Sequence, residues 1–412
     1  MNILIINHYA GSKYHGMDFK CYYMAKEWVK LGNNVCIVAA DQSHIRTKKV
    51  IISEKKDFNI EIIDGITYLW LKTLKYNDNS FQRAFNIISF IVQLFKYSKI
   101  IVKTFNPQIV ISSSTYPADC FPARYIAKLS NAKFIYEIHD LWPLSPMILG
   151  NMSKYHPFIM AMQFAENYCY RYCDAVVSAL PKVKEHVLKH GLNLKKLHIV
   201  ENGINVDEWS NKSLIPEKLH SLIEEEKAKG KFLLAYTGQH GLANSLNTIL
   251  EAANNVKDKK VAFFFIGNGP EKNNLIEYAK RLNLNNVFFC DSVKKTEIPN
   301  LLAKFDCLII TLKNNWEIFK YGISPNKLMD YMMSGKPIIQ AINAGNDIVK
   351  EAGCGLSVQG EDSKALANAI LEIMNTPLSE REAMGRRGNE YVIKNHDYKV
   401  LAKKYLDILE SL

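Results

Sequence analysis

The chain has 412 residues, of which 48% are hydrophobic and 23% are charged, the balance of a globular protein long enough for two or three domains. Its 52 lysines and arginines outnumber 41 acidic residues and give a formal net charge of +11. A basic surface favours anionic partners, but the basic residues are dispersed and form no nucleic-acid-binding motif. We therefore expect no nucleic-acid partner.

The N-terminus and the cysteines indicate a cytoplasmic protein. The opening MNILIINHYA is apolar from the start and lacks the basic region of a signal peptide, so it predicts a strand. The sequence contains no run of about 18 or more apolar residues, so no transmembrane helix is predicted. The eight cysteines form no C-x-x-C pair, and Cys169 and Cys173 lie one helical turn apart without a second ligand pair. Reduced, packed thiols are therefore expected.

The first half of the chain alternates short apolar runs with helical patterns. The runs predict strands at residues 3–6, 35–39, 65–69, 109–112, 133–138 and 175–178. Between them lie helical patterns, notably residues 19–31 and 117–129. This alternation predicts a doubly wound α/β domain over residues 1–202.

Residues 81–105 form an unusually apolar and aromatic stretch within this half. Lys96, Lys99 and Lys103 lie near one end, and Gln93 interrupts the apolar run. An interfacial helix that recognises anionic lipid fits this pattern, and so does a buried core helix. A membrane surface is therefore a candidate partner, with the protein peripheral at the inner face of the cell membrane.

The second half repeats the organisation of the first. At Lys231 the sequence KFLLAYTGQHGLANSLNTILEAA again runs from an apolar segment through a glycine turn into a helical pattern. Further strands are predicted at residues 232–237, 262–266, 287–290, 307–311, 337–340 and 355–358. The polar, turn-rich residues 202–230 separate the halves, so a second α/β domain is predicted over residues 203–390.

Loops that follow strands are the candidate binding loops, because ligands of open α/β sheets sit beyond the carboxyl ends of the strands. In the first half, HYAGSKYHG supplies Gly11 and Gly16, which allow a close approach of the backbone. FIYEIHDLWPLSP places Glu137, His139 and Asp140 at the end of a strand. A histidine with a purely structural role fits this second segment as well.

Two glycine loops of the second half are similar candidates. YTGQHG carries Gly238 and Gln239, and FIGNGPE carries Gly267, Asn268 and Gly269. Glycine lets the backbone approach a ligand, and the helix that follows offers free N–H groups to an anion. Gly-Asn-Gly is also a common tight turn, so each loop has a plain structural alternative.

The sharpest signal is YGISPNKLMDYMMSGKPII. Ser324 suits an N-cap and Pro325 the first position of a helix. Lys327 then falls in the first turn, where the helix dipole already favours an anion, so a bound phosphate would relieve the excess positive potential. Asp330 lies one turn on and could bind sugar hydroxyls, and Gly335 would end the helix. The alternative is a solvated lysine and aspartate on an ordinary helix.

Taken together, these segments resemble the retaining glycosyltransferases of family 4, in their bacterial branch that builds O-antigen and capsule. The resemblance rests on HYAGSKYHG, YEIHDLWPLSP, VENGINVDEW, YTGQHGLANSLNTILEAA, FIGNGPEKNNL and SPNKLMDYMMSGKPII. It implies the GT-B architecture: two Rossmann-like doubly wound domains facing a cleft, with the nucleotide-sugar held mainly by the C-terminal one. A last helix, at about residues 391–412, is expected to pack back on the N-terminal domain.

The resemblance also implies roles for residues. Lys327 would bind the diphosphate and Asp330 the ribose, and His139, Asp140 and Lys327 form the catalytic set. The implied donor-binding residues are Gly11, Gly16, Gly238, Gln239, Gly267, Asn268, Gly269, Ser324, Pro325, Asn326, Lys327 and Asp330. Many family members carry a pair of glutamates near the donor. Here Asp330 replaces the later one and Gly322 stands at the earlier position, which leaves open what contacts the sugar ring.

The expected activity is transfer of a sugar, with retention, from a nucleoside-diphosphate sugar to a polyprenyl-linked or oligosaccharide acceptor. UDP is favoured by family tendency, and neither a metal nor another cofactor is expected. A UDP-sugar epimerase on the same fold and a non-catalytic subunit that binds nucleotide-sugar or glycan are the alternatives. The absence of a Walker-type G-x-x-x-x-G-K-[ST] motif argues against an ATPase. The sequence leaves the oligomeric state open.

Overall fold

The computed structural model describes residues 1–16, 20–76, 80–210 and 213–412. The chain divides into two compact units. The N-terminal domain comprises Met1–Asn202 together with Tyr398–Leu412, and the C-terminal domain comprises Gly203–Asp397. The chain thus returns to the N-terminal domain at Tyr398, a few residues later than the predicted position near 391.

The described part of the N-terminal domain contains an eight-stranded sheet in the order β3-β4-β2-β1-β5-β6-β7-β8. Its strands are β1 (Asn2–Ile6), β2 (Asn34–Ala40), β3 (Phe58–Ile63), β4 (Ile66–Leu71), β5 (Ile109–Ser112), β6 (Lys133–Ile138), β7 (Ala175–Ser178) and β8 (Leu197–Ile199). All neighbours pair in parallel except β3 and β4, which form an antiparallel hairpin. Asp64 and Gly65 make its turn with φ of 50° and 80°, as two-residue hairpin turns require.

Helices cover both faces of this sheet. They are α1 (Lys20–Lys30), α2 (Ser80–Phe105), α3 (Cys120–Ser130), α4 (Leu144–Leu149), α5 (Pro157–Tyr172) and α6 (Lys184–Lys189), with short 3₁₀ turns at Lys13–His15, Pro117–Asp119 and Leu194–Lys196. Phe19, predicted to begin the first helix, lies outside the described residues. The predicted helix at 117–129 is a 3₁₀ turn followed by α3.

Helix α2 combines features of both alternatives for residues 81–105. By length and composition it is able to cross a membrane. One of its faces nevertheless packs in the N-terminal domain, where Phe90 and Leu94 are fully buried, while Phe85 and Ile88 are more than half exposed. The helix is therefore a core element that also presents an apolar surface.

The described residues of the C-terminal domain form a six-stranded, wholly parallel sheet in the order β11-β10-β9-β12-β13-β14. Its strands are β9 (Phe232–Thr237), β10 (Val261–Ile266), β11 (Val287–Cys290), β12 (Cys307–Thr311), β13 (Ile338–Ala341) and β14 (Gly355–Val358). This is the order of a dinucleotide-binding fold, and its topological switch point lies between β9 and β12. Ligands of such sheets bind at the carboxyl ends of the strands beside that point.

The helices of the C-terminal domain pack on both faces of its sheet. They are α7 (Val206–Trp209), α8 (Glu217–Ala228), α9 (Asn247–Asn255), α10 (Lys272–Arg281), α11 (Ile298–Leu302), α12 (Trp316–Phe319), α13 (Asn326–Met333), α14 (Ile348–Ala352), α15 (Ser363–Asn375) and α16 (Leu378–His396). Two apolar clusters fill the two sides of the sheet. All eight cysteines of the chain are free, and all but Cys290 are buried.

Helix α17 (Tyr398–Glu410) completes the N-terminal domain. Its apolar face packs on α1, where the Trp28 indole N–H donates to the Ala402 carbonyl at 2.9 Å. The rings of Tyr23 and Tyr398 stack with centroids 4.8 Å apart. Residues 391–396, part of the stretch predicted to pack back, instead end α16 in the C-terminal domain.

Candidate functional site

A cavity of about 450 Å³ opens at the carboxyl ends of β9 and β10. Its lining residues are Thr237, Gly238, Gln239, Ile266, Gly267, Asn268, Ser292, Val293, Ile298, Lys327 and Asp330. Six of them were predicted from the sequence to bind the donor: Gly238, Gln239, Gly267, Asn268, Lys327 and Asp330. Both glycine loops and the first turn of α13 therefore meet at one site beside the switch point of the sheet.

Helix α13 begins one residue later than predicted. Pro325 is its N-cap, with φ −75° and ψ 126°, and Asn326 is its first helical residue. The prediction of Ser324 as N-cap and Pro325 as first helical residue is therefore wrong. The extended backbone of Pro325 explains the shift, since a residue with ψ near 126° lies outside the helical region. Lys327 still falls in the first turn, and Gly335, with φ 67°, follows the last turn.

Lys327 is half-buried and lines the cavity. Its ammonium donates to the Tyr236 hydroxyl at 2.7 Å and to Asn244 Oδ1 at 2.8 Å, and it lies 4.4 Å from the centroid of the Tyr236 ring. Both hydrogen-bond partners are neutral. Burial lowers the pKa of Lys327 to about 7. A fully solvated lysine does not match this half-buried position, and the positive charge of Lys327 is poorly compensated before a ligand binds.

Tyr236 and Asn244 are site residues that were not predicted from the sequence. Both bind the carbonyl of Gln239, the Tyr236 hydroxyl at 2.9 Å and the Asn244 amide at 3.0 Å. They therefore link the loop YTGQHG to Lys327 of α13. Their position in the segment YTGQHGLANS was the sequence feature that could have indicated a role in the site. Only the fold shows that they face the lysine.

The two glycine loops pack backbone against backbone. Gly267 has φ 150°, and a Cβ on it would collide with the Gly238 carbonyl. A Cβ on Gly269 would collide with the His240 carbonyl, and Gly269 does not line the cavity. Gly267 thus serves the contact between the loops at the edge of the site. Packing alone accounts for Gly269, whose donor-binding role remains a prediction.

Asp330 lines the same cavity as Lys327, one helical turn further along α13. Burial raises the pKa of its carboxyl to about 6. A half-buried carboxyl in this position can accept hydrogen bonds from hydroxyl groups of a ligand. The predicted contact with the ribose is consistent with this position.

The backbone at Gly322 accounts for the missing glutamate. Its φ is 95°, a conformation in which any residue with a Cβ is strained. The loop that follows is held by Asn346, which accepts from the Ile323 amide at 2.8 Å and donates to its carbonyl at 2.9 Å. A glutamate at position 322 would therefore require a different loop.

His139 lies in a polar cluster at the ends of β5 and β6 in the N-terminal domain. Its Nε2 is 2.9 Å from the Ser113 hydroxyl and 3.5 Å from Glu137 Oε2. Glu137 also pairs with Lys20 at 3.0 Å. Burial raises the pKa of Glu137, but the charges of Lys20 and His139 and the hydrogen bonds from His139 and Ser113 outweigh it and leave this pKa below its usual value.

The remaining predicted residues of the N-terminal domain have local structural contacts. Asp140 Oδ1 accepts from the Leu141 amide at 2.8 Å and the Ser145 hydroxyl at 2.7 Å, which orders the turn into α4. The Gly11 carbonyl accepts from the Tyr68 hydroxyl at 2.8 Å. Gly16 has φ 70°, and a Cβ there would collide with the side chain of Thr47. A catalytic role of Asp140 and donor binding by both glycines remain predictions.

One cluster of possible metal ligands occurs in the described part of the chain, formed by Glu166, His186 and His190. The Glu166 carboxylate already accepts from His186 at 2.7 Å, from Tyr170 at 2.9 Å and from Gln163 at 2.8 Å. These contacts satisfy the buried carboxylate without an ion. The cluster accordingly provides a link between α5 and α6, and the expectation of a metal-free enzyme remains untested.

Two Rossmann-like domains, one with a glycine-lined cationic cavity at its switch point, define a class of nucleotide-binding α/β proteins. Residues 15–208 match the family model described as Glycosyltransferase Family 4. Residues 231–376 match the model described as Glycosyl transferases group 1. The first match covers most of the N-terminal domain, the second lies within the C-terminal domain, and together they cover most of the chain. The chain therefore belongs to the glycosyltransferases of GT-B fold.

Curated relatives carry related names. The chain is 24% identical over 271 residues to a probable glycosyltransferase, WbjE, of Pseudomonas aeruginosa, a match that covers 63% of this chain and 66% of the relative. It is 24% identical over 151 residues to a putative colanic acid biosynthesis glycosyl transferase, WcaI, of Escherichia coli, covering 36% of each. The chain thus spans just under two thirds of the first relative's length and about a third of the second's.

Solved structures of the same fold cover the whole chain. HepE of Anabaena in complex with UDP has a TM-score of 0.71 at 14% identity and covers 100% of both chains. Sucrose-phosphate synthase from Thermosynechococcus elongatus has a TM-score of 0.70 at 14% identity, covering 99% of this chain and 98% of that one. At these identities the likeness establishes the fold.

Proposed function

We propose that the protein transfers a sugar from a nucleoside-diphosphate sugar, with UDP as the nucleotide, to an acceptor hydroxyl with retention at the anomeric carbon. The observation that carries the proposal is the half-buried Lys327 ammonium, which lies against Gly238 and, among the described residues, has neutral hydrogen-bond partners. A diphosphate in the cavity supplies the missing negative charge. Complexes of the neighbour HepE with UDP and with UDP-glucose support this choice of donor.

The chemistry follows from the charge that develops as the glycosidic bond breaks. The sugar gains oxocarbenium character, and the leaving diphosphate gains negative charge. Preorganised positive potential stabilises that charge most effectively in a site that excludes water. Lys327 and the free N–H groups at the start of α13 provide this potential. Asp330 holds the ribose, and the reaction requires no metal.

In this reaction His139 contacts the transferred sugar or the acceptor. It is not assigned as a base, because in a retaining transfer the leaving phosphate can itself accept the acceptor proton. Since Glu137 is neutralised by Lys20, its carboxylate is a support for His139 rather than a second acid. The catalytic centre therefore depends on electrostatics more than on proton transfer.

The proposed acceptor is a lipid-linked or oligosaccharide intermediate of a surface polysaccharide such as O-antigen or capsule. The name of the relative WcaI places that protein in colanic acid biosynthesis. A cytoplasmic enzyme at the inner face of the membrane would reach such an acceptor.

Release of free nucleotide that depends on acceptor tests the activity. We expect the purified protein, given a UDP-sugar together with polyprenyl-linked glycans, to release UDP only when both are present. An epimerase would convert the donor without acceptor, and a binding subunit would show a thermal shift with UDP and no turnover. Either result, obtained across a panel of donors and acceptors, would contradict the proposal.

Helix α2 supports the proposed position at the membrane. One side of the helix carries an exposed stripe of large apolar side chains, each between 42% and 74% exposed: Phe81, Phe85, Ile88, Val92 and Phe95. The same side continues into the basic Lys96, Lys99 and Lys103, and α2 contains no acidic residue. Apolar insertion next to cationic side chains is the pattern of an interfacial helix that binds anionic lipid.

We expect the protein to float with vesicles that contain phosphatidylglycerol, and to do so less at high salt because salt screens the lysines. The double variant Phe85→Ser/Ile88→Asn should stay in the soluble fraction, since it removes two inserting side chains. A matched control is Leu214→Asn, which changes an 89%-exposed leucine of the C-terminal domain and should float normally. Failure of the unmodified protein to float at low salt would contradict membrane docking.

A further inference from the structure

A second apolar feature lies beside the exposed stripe and is distinct from it. The β3–β4 hairpin and the last turns of α2 enclose a groove of about 190 Å³, lined almost wholly by apolar atoms. Cys36 and Ile101 lie buried in it, while Ile60 and Ile100 on its rim are 53% and 50% exposed. An apolar cavity of about 150 Å³ stays dry and binds small apolar groups, so this groove has room for a segment of hydrocarbon.

The strand that borders the groove is an unusual edge strand. Strand β3 is the edge of the sheet, and its exposed side chains include Ile60 and Ile62, the latter 73% exposed. Edge strands in soluble proteins normally carry charged or otherwise protective residues. Contiguous exposed apolar side chains around a concave surface indicate a contact site.

A basic depression adjoins one end of the groove. It shares Phe58, Ile60 and Tyr97 with the groove, and Lys55 and Lys56 also line it. The acid at this end, Asp57, is already engaged by Lys96 at 2.6 Å and by the Tyr97 hydroxyl at 2.7 Å. Within the described ranges Lys55 and Lys56 form no ion pair. An apolar groove with a cationic mouth is complementary to an anionic amphiphile.

We propose that this groove binds one hydrocarbon chain of an anionic membrane phospholipid, with the lipid phosphate between Lys55 and Lys56. This inference rests on the proposed membrane association, since α2 carries both surfaces. The exposed stripe of α2 only inserts into the bilayer, whereas the groove would bind an individual lipid molecule. The hydrocarbon chain of the lipid fills the groove along Ile100 and Ile101. The basic mouth fixes the direction in which the lipid enters.

Dodecyl phosphate below its micelle concentration tests the groove without vesicles and without turnover. We expect saturable binding by calorimetry, weaker binding of dodecanol, and none of inorganic phosphate. Ile100→Asn should weaken the binding of dodecyl phosphate by about ten-fold or more, because it puts a polar group on the wall of the groove. The double variant Lys55→Gln/Lys56→Gln should weaken the binding of dodecyl phosphate but leave the binding of dodecanol unchanged.

Ile88→Asn is the matched control on the same helix. Ile88 is 55% exposed, close to the exposure of Ile100, but it belongs to the stripe. The Ile88→Asn variant should bind dodecyl phosphate normally but float less well with vesicles. Equal binding by Ile100→Asn and the unmodified protein, absence of binding, or equal binding of inorganic phosphate would overturn the proposal. So would light scattering that shows a dimer dissociated by Ile100→Asn, which would assign the groove to a second copy of the chain.

The binding of dodecyl phosphate and the release of UDP are independent readouts. A protein that transfers sugar but does not bind dodecyl phosphate contradicts the groove alone. A protein that binds dodecyl phosphate but does not turn over a UDP-sugar contradicts the proposed activity alone.

Discussion

Lys327→Met lowers kcat/KM for the proposed transfer by about 10²–10³-fold, equivalent to about 2.7–4 kcal/mol of barrier, the cost of removing one preorganised donor from a site of developing negative charge. Methionine keeps the length and most of the volume of the side chain. It removes the charge and the hydrogen bonds to Tyr236 and Asn244. The measurement is acceptor-dependent UDP release under kcat/KM conditions, together with the Kd of UDP by calorimetry.

Lys336→Met is the matched control for this effect. Lys336 follows the other end of α13, and burial lowers its pKa as well, but it does not line the cavity. Its replacement should leave kcat/KM within a few-fold of the unmodified protein. Near-normal turnover by Lys327→Met, or an equal loss in both variants, would show that the ammonium does not act on the diphosphate.

Because the pKa of Lys327 is lowered, the affinity for UDP should depend on pH. In the free protein burial lowers this pKa to about 7, and a bound diphosphate would raise it by favouring the charged form. The affinity for UDP should therefore fall as the pH rises above 7, and binding at pH 8 should take up nearly one proton. Calorimetry in buffers of different ionisation enthalpy measures this uptake, which should be absent in Lys327→Met.

Glu137→Ala destabilises the N-terminal domain by about 3–5 kcal/mol, the usual cost of removing one partner of a buried ion pair. The side chains of Lys20 and Glu137 are only 3% and 5% exposed, and their charged atoms lie 3.0 Å apart. Without the carboxylate, the hydrogen bond that the Lys20 ammonium keeps within the described part of the chain is the one to the Val200 carbonyl at 2.5 Å. Equilibrium unfolding in urea measures the loss, and Glu185→Ala, which changes an exposed acid of α6, is the control.

Two further results separate the ion pair from a packing defect. Removal of both charges in Lys20→Met/Glu137→Met should recover much of the stability, because no unpaired charge is then buried. The folded protein keeps the pKa of Glu137 below its usual value, so this stabilisation is present above the unfolded-state pKa of about 4.3 and is lost as the pH falls below it. A single Glu137→Ala variant as stable as the unmodified protein would contradict the importance of the pair.

The strands of both sheets illustrate where sequence reasoning succeeds. Parallel strands with helices on both faces are buried on both sides and read as continuous apolar runs, so β5, β6, β9 and β12 were predicted with the observed bounds. Strand β3 was missed because, as an edge strand, it alternates polar and apolar residues in FNIEII. Strand β8 was missed because it has only three residues.

The residues of the candidate site likewise divide into those that were predicted from the sequence and those that were missed. Gly238, Gly267 and Lys327 were identified because glycine turns and a lysine in a first helical turn are local patterns with local causes. Tyr236 and Asn244 were not identified as its partners, since they lie 91 and 83 residues from Lys327 in the chain. The cap of α13 was assigned to the wrong residue because a Ser-Pro pair allows more than one start.

The sequence by itself determined the two α/β domains, most of their strands, two glycine loops and a lysine in the first turn of a helix, because periodicity and turn chemistry act between near neighbours. The partial burial of that lysine, its neutral partners and its lowered pKa depended on contacts between distant segments, as did the groove beside α2. Electrostatics in a folded protein depends on which groups the fold excludes from water, and that exclusion is a property of packing rather than of any short stretch of residues.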